Sequence, residues 1–394
     1  MSDIFDPQSK ILANVDRLIK HLETGTTSPV LVEIDPSNAC NHGCTFCISS
    51  YIHLPESQHL ETFNRSVMPR EVLMNLVKDL IKMNVRAINW TGGGEPTVNP
   101  HLGEAIQYVG ENSNIKQGIF TNGSRLHTNS LSDNFAKYLT WARISIDFGK
   151  KETYEKIRRP KTGAGWDQVM KNLHGLILSR VLYNNTMDLG VGFVITQDSA
   201  DEIVDFANLF KDTPITYCQY KPEIVNRERE DGVQRTIEFW NKINPALEEA
   251  KNILGDKFQI NDYKLDDLTN DPEFFGRTYK KCIGSQLQPC IGADGHVYVC
   301  TNHRGYKEYS YGSLFEKSFE EIWGDITKRQ QVMHQIEEVE KFSKCTKLCK
   351  PHESNKACWK ISQLLTANPT HEVRQELLQQ IYTQQIDIKH PEFI

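Results

Sequence analysis

The sequence predicts an α/β protein: a parallel sheet curved around a wet lumen, followed by a loop-rich appendage that carries cysteines. Three observations carry this. Strand-like and helix-like segments alternate through about the first 220 of 394 residues, giving six strands, the pattern of βαβ units and a parallel sheet. The strands place polar side chains on one face and apolar ones on the other, whereas a flat doubly wound sheet is apolar on both. Most of the ten cysteines fall in two groups, at 40–47 and 282–358.

In chain order, residues 8–23 carry Ile11, Leu12, Val15, Leu18, Ile19 and Leu22 at helical spacing, which predicts an amphipathic helix. VLVEID (30–35) is the first strand. PREVLMNLVKDLIKMN (69–84) is a helix with Pro69 in its first turn. RAINW (86–90) is the second strand, and a helix follows near 100–110. KQGIF (116–120), WARISID (141–147), MDLGVGFVIT (187–196) and ITYCQYK (215–221) complete the six strands, with helices at 166–180 and 199–211. Alternation sets Glu33, Asp35, Asn89 and Thr91, then Arg143, Ser145 and Asp147, then Gln219 and Lys221 toward a ligand-sized lumen. Ile34, Ile88, Ile144, Ile146 and Tyr220 face the other way. Beyond Lys221, NRERED (226–231) reads as a linker or exposed helix start. A helix near 234–253, a polar stretch to about 276 and a Gln-rich helical tail follow. The expected domains are an N-terminal helix (1–29), the barrel (30–225), a helical linker (226–276), a cysteine domain (277–362) and a helical tail (363–394).

Composition narrows the partners. With 39% hydrophobic and 24% charged residues the chain is globular. Its 45 basic and 51 acidic residues leave a net charge of -6, with no basic excess to follow a phosphate backbone, so no nucleic-acid partner is expected. No apolar run approaches the ~18 residues of a membrane span, and MSDIFDPQSK lacks the apolar core of a signal peptide. A cytoplasmic location is expected. Disulfides are rare there, and clustered cysteines point to metal.

NACNHGCTFCISS supplies Cys40, Cys44 and Cys47 in a C-x3-C-x2-C spacing directly after the first strand. Closed zinc sites use four ligands. An iron-sulfur cube held by three thiolates leaves one iron open to a ligand. An incomplete zinc knuckle or three unconnected thiols are the alternatives. TGGGEP (91–96) follows the second strand. Its glycines allow close backbone approach to a ligand, and the Glu95 carboxylate suits an ammonium group; alone, it would read as an ordinary strand-to-helix turn.

Taken together, these motifs make the first 220 or so residues resemble the radical S-adenosylmethionine superfamily. The cysteine loop, with Phe46 before its last Cys, is similar to the family's cluster signature, and TGGGEP to its GGEP segment. The resemblance implies a partial (β/α)6 TIM-like barrel and a 4Fe-4S cluster on Cys40, Cys44 and Cys47. It implies S-adenosylmethionine chelated to the open iron and cleaved to a 5′-deoxyadenosyl radical that abstracts a hydrogen atom. It also implies an external one-electron reductant such as flavodoxin or ferredoxin. Cofactor-binding roles then fall on Phe46, Gly93, Gly94 and Glu95, on Asn122 of TNG, on Ser145 and Asp147 of ISID, and on Arg158 of YEKIRRP, whose family counterpart pairs with the cofactor carboxylate.

KCIGSQLQPCIGADGHVYVC holds Cys282, Cys290 and Cys300. A turn at Asp294-Gly295 followed by alternating VYV reads as a hairpin that brings Cys282 and Cys300 near each other. KCTKLCKPHESNKAC adds Cys345, Cys349 and Cys358. Two separated pairs make a four-ligand site, with a zinc ribbon as the alternative. The hairpin and GSLFEKSFEEIW (312–323) resemble the SPASM and Twitch appendages of radical enzymes. A C-x2-C-x5-C-x3-C segment typical of SPASM is missing. The resemblance therefore implies a Twitch-like domain with one auxiliary 4Fe-4S cluster on Cys282, Cys300, Cys345 and Cys349. The C-x3-C spacing of the last pair departs from the usual C-x2-C and leaves Cys358 as a substitute; Cys290 sits on the hairpin.

The expected chemistry is hydrogen abstraction from an unactivated C–H bond. A polar lumen favours a hydroxyl-rich small molecule, such as a sugar, aminocyclitol or nucleotide sugar, oxidised or epimerised. A ribosomally made peptide is the alternative. It usually needs a leader-recognition module, and only 29 residues precede the first strand, so a partner protein would supply it. A non-catalytic iron-sulfur scaffold leaves GGGEP unexplained. On the sixth strand, Cys218 is the candidate thiol for hydrogen return and Lys221 the candidate base. Cys218 shares the outward face of Tyr220 while Lys221 shares the lumen face of Gln219, so oxidation is expected, with the auxiliary cluster accepting an electron.

Overall fold

The computed structural model describes residues 7–47, 49, 66–128, 130–222, 232–260, 277–345, 349, 351–367 and 388–394. Six strands follow one another across a sheet: β1 (Leu31–Ile34), β2 (Ala87–Trp90), β3 (Lys116–Thr121), β4 (Trp141–Ser145), β5 (Asp188–Ile195) and β6 (Tyr217–Pro222). Each pairs in parallel with the next. Between them, helices such as Arg70–Lys82, Leu102–Asn112, Trp166–Leu182 and Ile203–Phe210 return the chain along the outer face. The predicted alternation holds: Ile34, Ile88, Ile144, Ile146 and Tyr220 are fully buried in the core against these helices. Each such isoleucine contributes roughly 1.5–3 kcal/mol by burial.

The barrel is open, and both edges are extended. β7 (Phe258–Ile260) joins β6 in parallel. At the other edge β8 (Cys290–Ile291) runs parallel to β1, and β9 (His296–Tyr298) and β10 (Ser310–Ser313) follow antiparallel. One ten-stranded sheet results, in the order β10-β9-β8-β1-β2-β3-β4-β5-β6-β7. The predicted hairpin is therefore real, its turn made by Gly295 at φ 77°, a conformation that favours glycine. Its backbone is also stitched into the barrel: Glu33 N donates to Pro289 O at 3.0 Å and Asp35 N to Ile291 O at 2.9 Å.

The N-terminal ends of the strands are closed by residues 388–394. Phe393 packs edge-on against Trp141 at 5.4 Å, and Asp188 holds Lys389 Nζ and His390 Nε2, each at 2.6 Å. A second core joins the N-terminal helices to the helix His352–Ala367 through Ile11, Val15, Leu18, Cys358 and Ile361.

Several elements differ from expectation. The single helix over 8–23 is two, Pro7–Ala13 and Val15–Thr24. Asn14 breaks it: its Nδ2 donates to Lys10 O at 2.8 Å and to Pro391 O at 2.7 Å, so the break is tied to the C-terminal segment. The region 226–276 is more than a linker, because β7 belongs to the sheet. NRERED and residues 368–387 of the tail lie outside the described residues. The helices Leu131–Tyr138 and Lys151–Arg158 are too short for periodicity to reveal. No described helix is long and apolar enough to cross a membrane.

Candidate functional site

The loop after β1 carries Cys40, Cys44 and Cys47, all half-buried. Its course is dictated by backbone contacts with the end of the helix Lys151–Arg158. Gly43 N donates to Arg158 O at 3.0 Å, Thr45 N to Ile157 O at 3.1 Å, and Lys161 N to Asn41 O at 2.9 Å. Phe46 packs edge-on against Phe148 at 6.2 Å. Burial, then the nearby Glu95, pushes the Cys40 thiol up to about 12. Burial also raises Cys44, with Arg158 opposing. Such thiols ionise only against a strongly cationic centre, which suits iron.

The TGGGEP loop lies directly on this segment. Gly94 N donates to Ser37 O at 3.1 Å and Glu95 N to Ala39 O at 3.0 Å. A Cβ on Gly94 would stand 2.2 Å from Ala39 O and 2.5 Å from the Asn38 carbonyl carbon. These are backbone atoms that cannot swing aside, so Gly94→Ala is expected to part the two loops. A lowered Tm together with weakened S-adenosylmethionine binding would show this; wild-type values for both would refute it. Gly93 is buried but does not line the cavity, whereas Gly92 and Gly94 do.

Glu95 is only 3% exposed. Its carboxylate accepts from Thr97 N (3.1 Å), Thr97 Oγ1 (2.6 Å), Thr121 Oγ1 (2.5 Å) and Asn122 N (2.7 Å). Burial raises its pKa while these donors work against the rise. It thus ties the top of β2 to the top of β3 and still faces the cavity. Asn122 reaches the cysteine loop, Nδ2 donating to Asn41 Oδ1 at 2.9 Å. The two threonines that seat Glu95 were not foreseen; an acidic residue whose carboxylate caps the amide two residues on, here Thr97 N, is a recognisable local pattern.

Asp147 adopts a left-handed φ of 66° just beyond β4. Its carboxylate accepts from Val194 N at 2.8 Å and forms a buried ion pair with Arg158. Arg158 Nε also approaches His42 Nδ1 at 3.4 Å. Burial opposes the Arg158 charge, but Asp147, together with Cys44, Tyr154 and Cys40, more than offsets it, so the guanidinium stays ionised. The pair clamps the cysteine loop from below, and His42, not foreseen from sequence, completes the clamp through Ala164 O at 2.9 Å.

These groups border one cavity of about 560 Å³, within the range of ligand sites. Ser145, Arg143 and Gln219 form its floor, Phe120 and Phe193 its sides, and Lys221 its rim. The two candidate catalytic residues lie on the faces that alternation predicts, and neither position supports its role. Cys218 is fully buried on the outer face and does not line the cavity. Lys221 does line it but is exposed, so the desolvation on which a base role rested is absent.

In the appendage, Cys282, Cys300, Cys345 and Cys349 lie within electrostatic reach of one another. Burial raises Cys300 to about 12, and Cys282 and Cys345 add to it. Cys349 is raised by burial and then by the other three. Asn355 Nδ2 donates to Cys282 Sγ at 3.2 Å, and His303 Nε2 meets Cys345 Sγ at 3.4 Å. Hydrogen bonds of this kind suit cluster sulfurs. Cys358 is fully buried in the second core, though its thiol still senses Cys282. Cys290 is buried near Asp35 and Glu33. Among the described residues no group of three or more His, Cys, Asp or Glu side chains converges on a single-ion site.

Residues 34–207 match the family model of the radical SAM superfamily, and residues 282–358 match that of SPASM, an iron-sulfur cluster-binding domain. The chain is 24% identical to mycofactocin maturase MftC of Mycolicibacterium smegmatis, over 78% of this chain and 74% of that protein. It is 22% identical to the sporulation killing factor maturation protein SkfB of Bacillus subtilis, over 75% and 64%. Its fold is similar to that of Streptococcus suis SuiB in the crystal structure with the precursor peptide SuiA, with a TM-score of 0.57 at 16% identity over 81% of this chain and 70% of that one. Two of these proteins are named for maturation and the third is seen with a precursor peptide, and together they overturn the expectation of a sugar-like substrate. The structure supplies the physical reason. Much of the polar lumen face is spent on internal pairs: Asn89 Nδ2 donates to Glu33 Oε1 at 3.1 Å, Asp35 pairs with Arg304 at 2.5 Å, and Asp147 with Arg158. A polar face need not mean a polar substrate.

Proposed function

We propose, for a chain that belongs to the radical S-adenosylmethionine superfamily and carries a SPASM domain, that it is a maturase modifying a peptide. Its radical domain binds a 4Fe-4S cluster and S-adenosylmethionine, and its SPASM domain is an auxiliary iron-sulfur domain. When bound, the first cluster and S-adenosylmethionine supply a 5′-deoxyadenosyl radical that takes a hydrogen atom from a C–H bond. In this reading Cys40, Cys44 and Cys47 hold that cluster, and Cys282, Cys300, Cys345 and Cys349 hold the auxiliary one. Glu95, already dry and fixed, faces the cofactor ammonium, where a charge-assisted hydrogen bond is strong. The glycine backbone, Phe46, Asn122 and Ser145 complete the cofactor wall. Asp147 and Arg158 position the cysteine loop.

The observation that carries the peptide reading is likeness to maturases across about three quarters of the chain. The modification is expected to be oxidative. Returning a hydrogen atom to the opposite face needs a thiol at the cavity, and Cys218 faces away from it. The test supplies the anaerobically reconstituted protein with S-adenosylmethionine, a one-electron reductant and short peptides encoded beside its gene, in deuterium oxide. A peptide-dependent rise in 5′-deoxyadenosine and a product two mass units lighter, without solvent deuterium, are expected. Turnover with sugars or aminocyclitols and none with peptides would refute the peptide reading; one solvent deuterium in a product otherwise isomeric with the substrate would refute the oxidative one.

A further inference from the structure

The cavity floor holds hydrogen-bond donors that lack acceptors. The register places Ser145, Gly192 and Gln219 in one row across β4, β5 and β6, with Arg143 one step deeper on β4. Arg143 can lie across the sheet because Gly192 has no side chain; a Cβ there would stand 3.3 Å from Arg143 Cδ. The guanidinium rests over the Phe120 ring, 4.1 Å from its centroid. Its Nη1 donates to Gln219 Oε1, while Arg143 Nε and Gln219 Nε2 are buried with no partner. Arginine offers only donors, so Gln219 turns its carbonyl to Arg143 and leaves its NH2 unused.

The nearby carboxylates are committed elsewhere. Asp147 serves Arg158 and the Val194 amide, Glu95 serves four donors, and Asp188 serves Lys389 and His390. Arg143 itself makes no ion pair with a described residue. Its pKa is lowered, chiefly by desolvation, which outweighs the support that Tyr217 and the Asp147 charge give from a distance. Two unused donor sets side by side, one of them a guanidinium, complement the two oxygens of a carboxylate.

We propose that Arg143 and Gln219 form a carboxylate-binding site that seats a free carboxylate of the substrate at the cavity floor. The group comes from the C-terminal end of a peptide or from an Asp or Glu side chain. The source rests on the peptide reading; the site does not. The experiment is calorimetric titration of the reconstituted protein, loaded with S-adenosylmethionine, with three probes. N-acetylglycine represents a chain end, N-acetylaspartate α-N-methylamide an acidic side chain, and N-acetylglycinamide carries no carboxylate.

At least a tenfold preference for one or both acids over the amide is expected, and the tighter acid identifies the source. Arg143→Gln should abolish the preference. Gln219→Glu keeps the shape and supplies Arg143 with an internal carboxylate, so it should abolish acid binding while raising Tm, which separates the effect from misfolding. Equal binding of acids and amide, or acid binding retained in both variants, would overturn the proposal. So would a parallel loss of S-adenosylmethionine binding in Arg143→Gln, which would give the guanidinium to the cofactor. Acid binding without peptide-dependent 5′-deoxyadenosine would instead count against the peptide reading alone.

Discussion

Replacing Cys40, Cys44 and Cys47 together by Ala is expected to remove about four irons per chain and all 5′-deoxyadenosine formation, while leaving the fold intact. The loop does not depend on its thiols for its shape. Its backbone is held by Arg158 O, Ile157 O and the Lys161 amide, and its flank by the Asn41–Asn122 hydrogen bond. Iron analysis and the characteristic visible absorption should therefore fall by the share of one cluster, with circular dichroism and the remaining auxiliary signal unchanged. Iron content equal to that of the parent protein would place the ligands elsewhere. A protein purified without oxygen that holds zinc alone would remove the cluster assignment altogether.

The largest stability effect is expected at Asp147. Asp147→Ala removes the counter-ion of Arg158, whose side chain is 6% exposed, and leaves the Val194 amide without its acceptor. Breaking a buried pair from one side costs about 3–5 kcal/mol, because the remaining charge stays uncompensated. It also frees the helix end that carries the cysteine loop, so cluster loading should drop with Tm. Adding Arg158→Met to the same chain removes the orphan charge and is expected to recover part of the Tm but not the loading. A Tm within a degree of the parent in Asp147→Ala would show that the pair carries no structural weight.

The six parallel strands and their facing were legible because alternation is a local property. Ile144 and Ile146 face the helices while Arg143 and Ser145 face the cavity, whatever the rest of the chain does. The cysteine groups were legible because ligand spacing is local too. What local pattern cannot carry is which distant strands pair. Nothing in FQI announces that β7 will extend β6, and nothing in PCIG that β8 will pair with β1. The same blindness inflated the polar lumen. Arg304 neutralises Asp35 from a distance of 269 residues in sequence, and a strand read alone shows only the acid. Alternation placed Cys218 outward and Lys221 at the lumen, as found, but it could not show that Lys221, at the strand end, borders the cavity while remaining exposed.

The pairing of β8 with β1 means that the two iron-binding regions share an edge rather than a hinge. Strand β1 would otherwise present open amides and carbonyls, Glu33 N and Asp35 N among them, a template on which another copy could polymerise. The appendage therefore covers the edge of the sheet at which such pairing would start. The chain segments leading to the two cysteine groups are thus braced against each other by backbone hydrogen bonds as well as by side-chain packing.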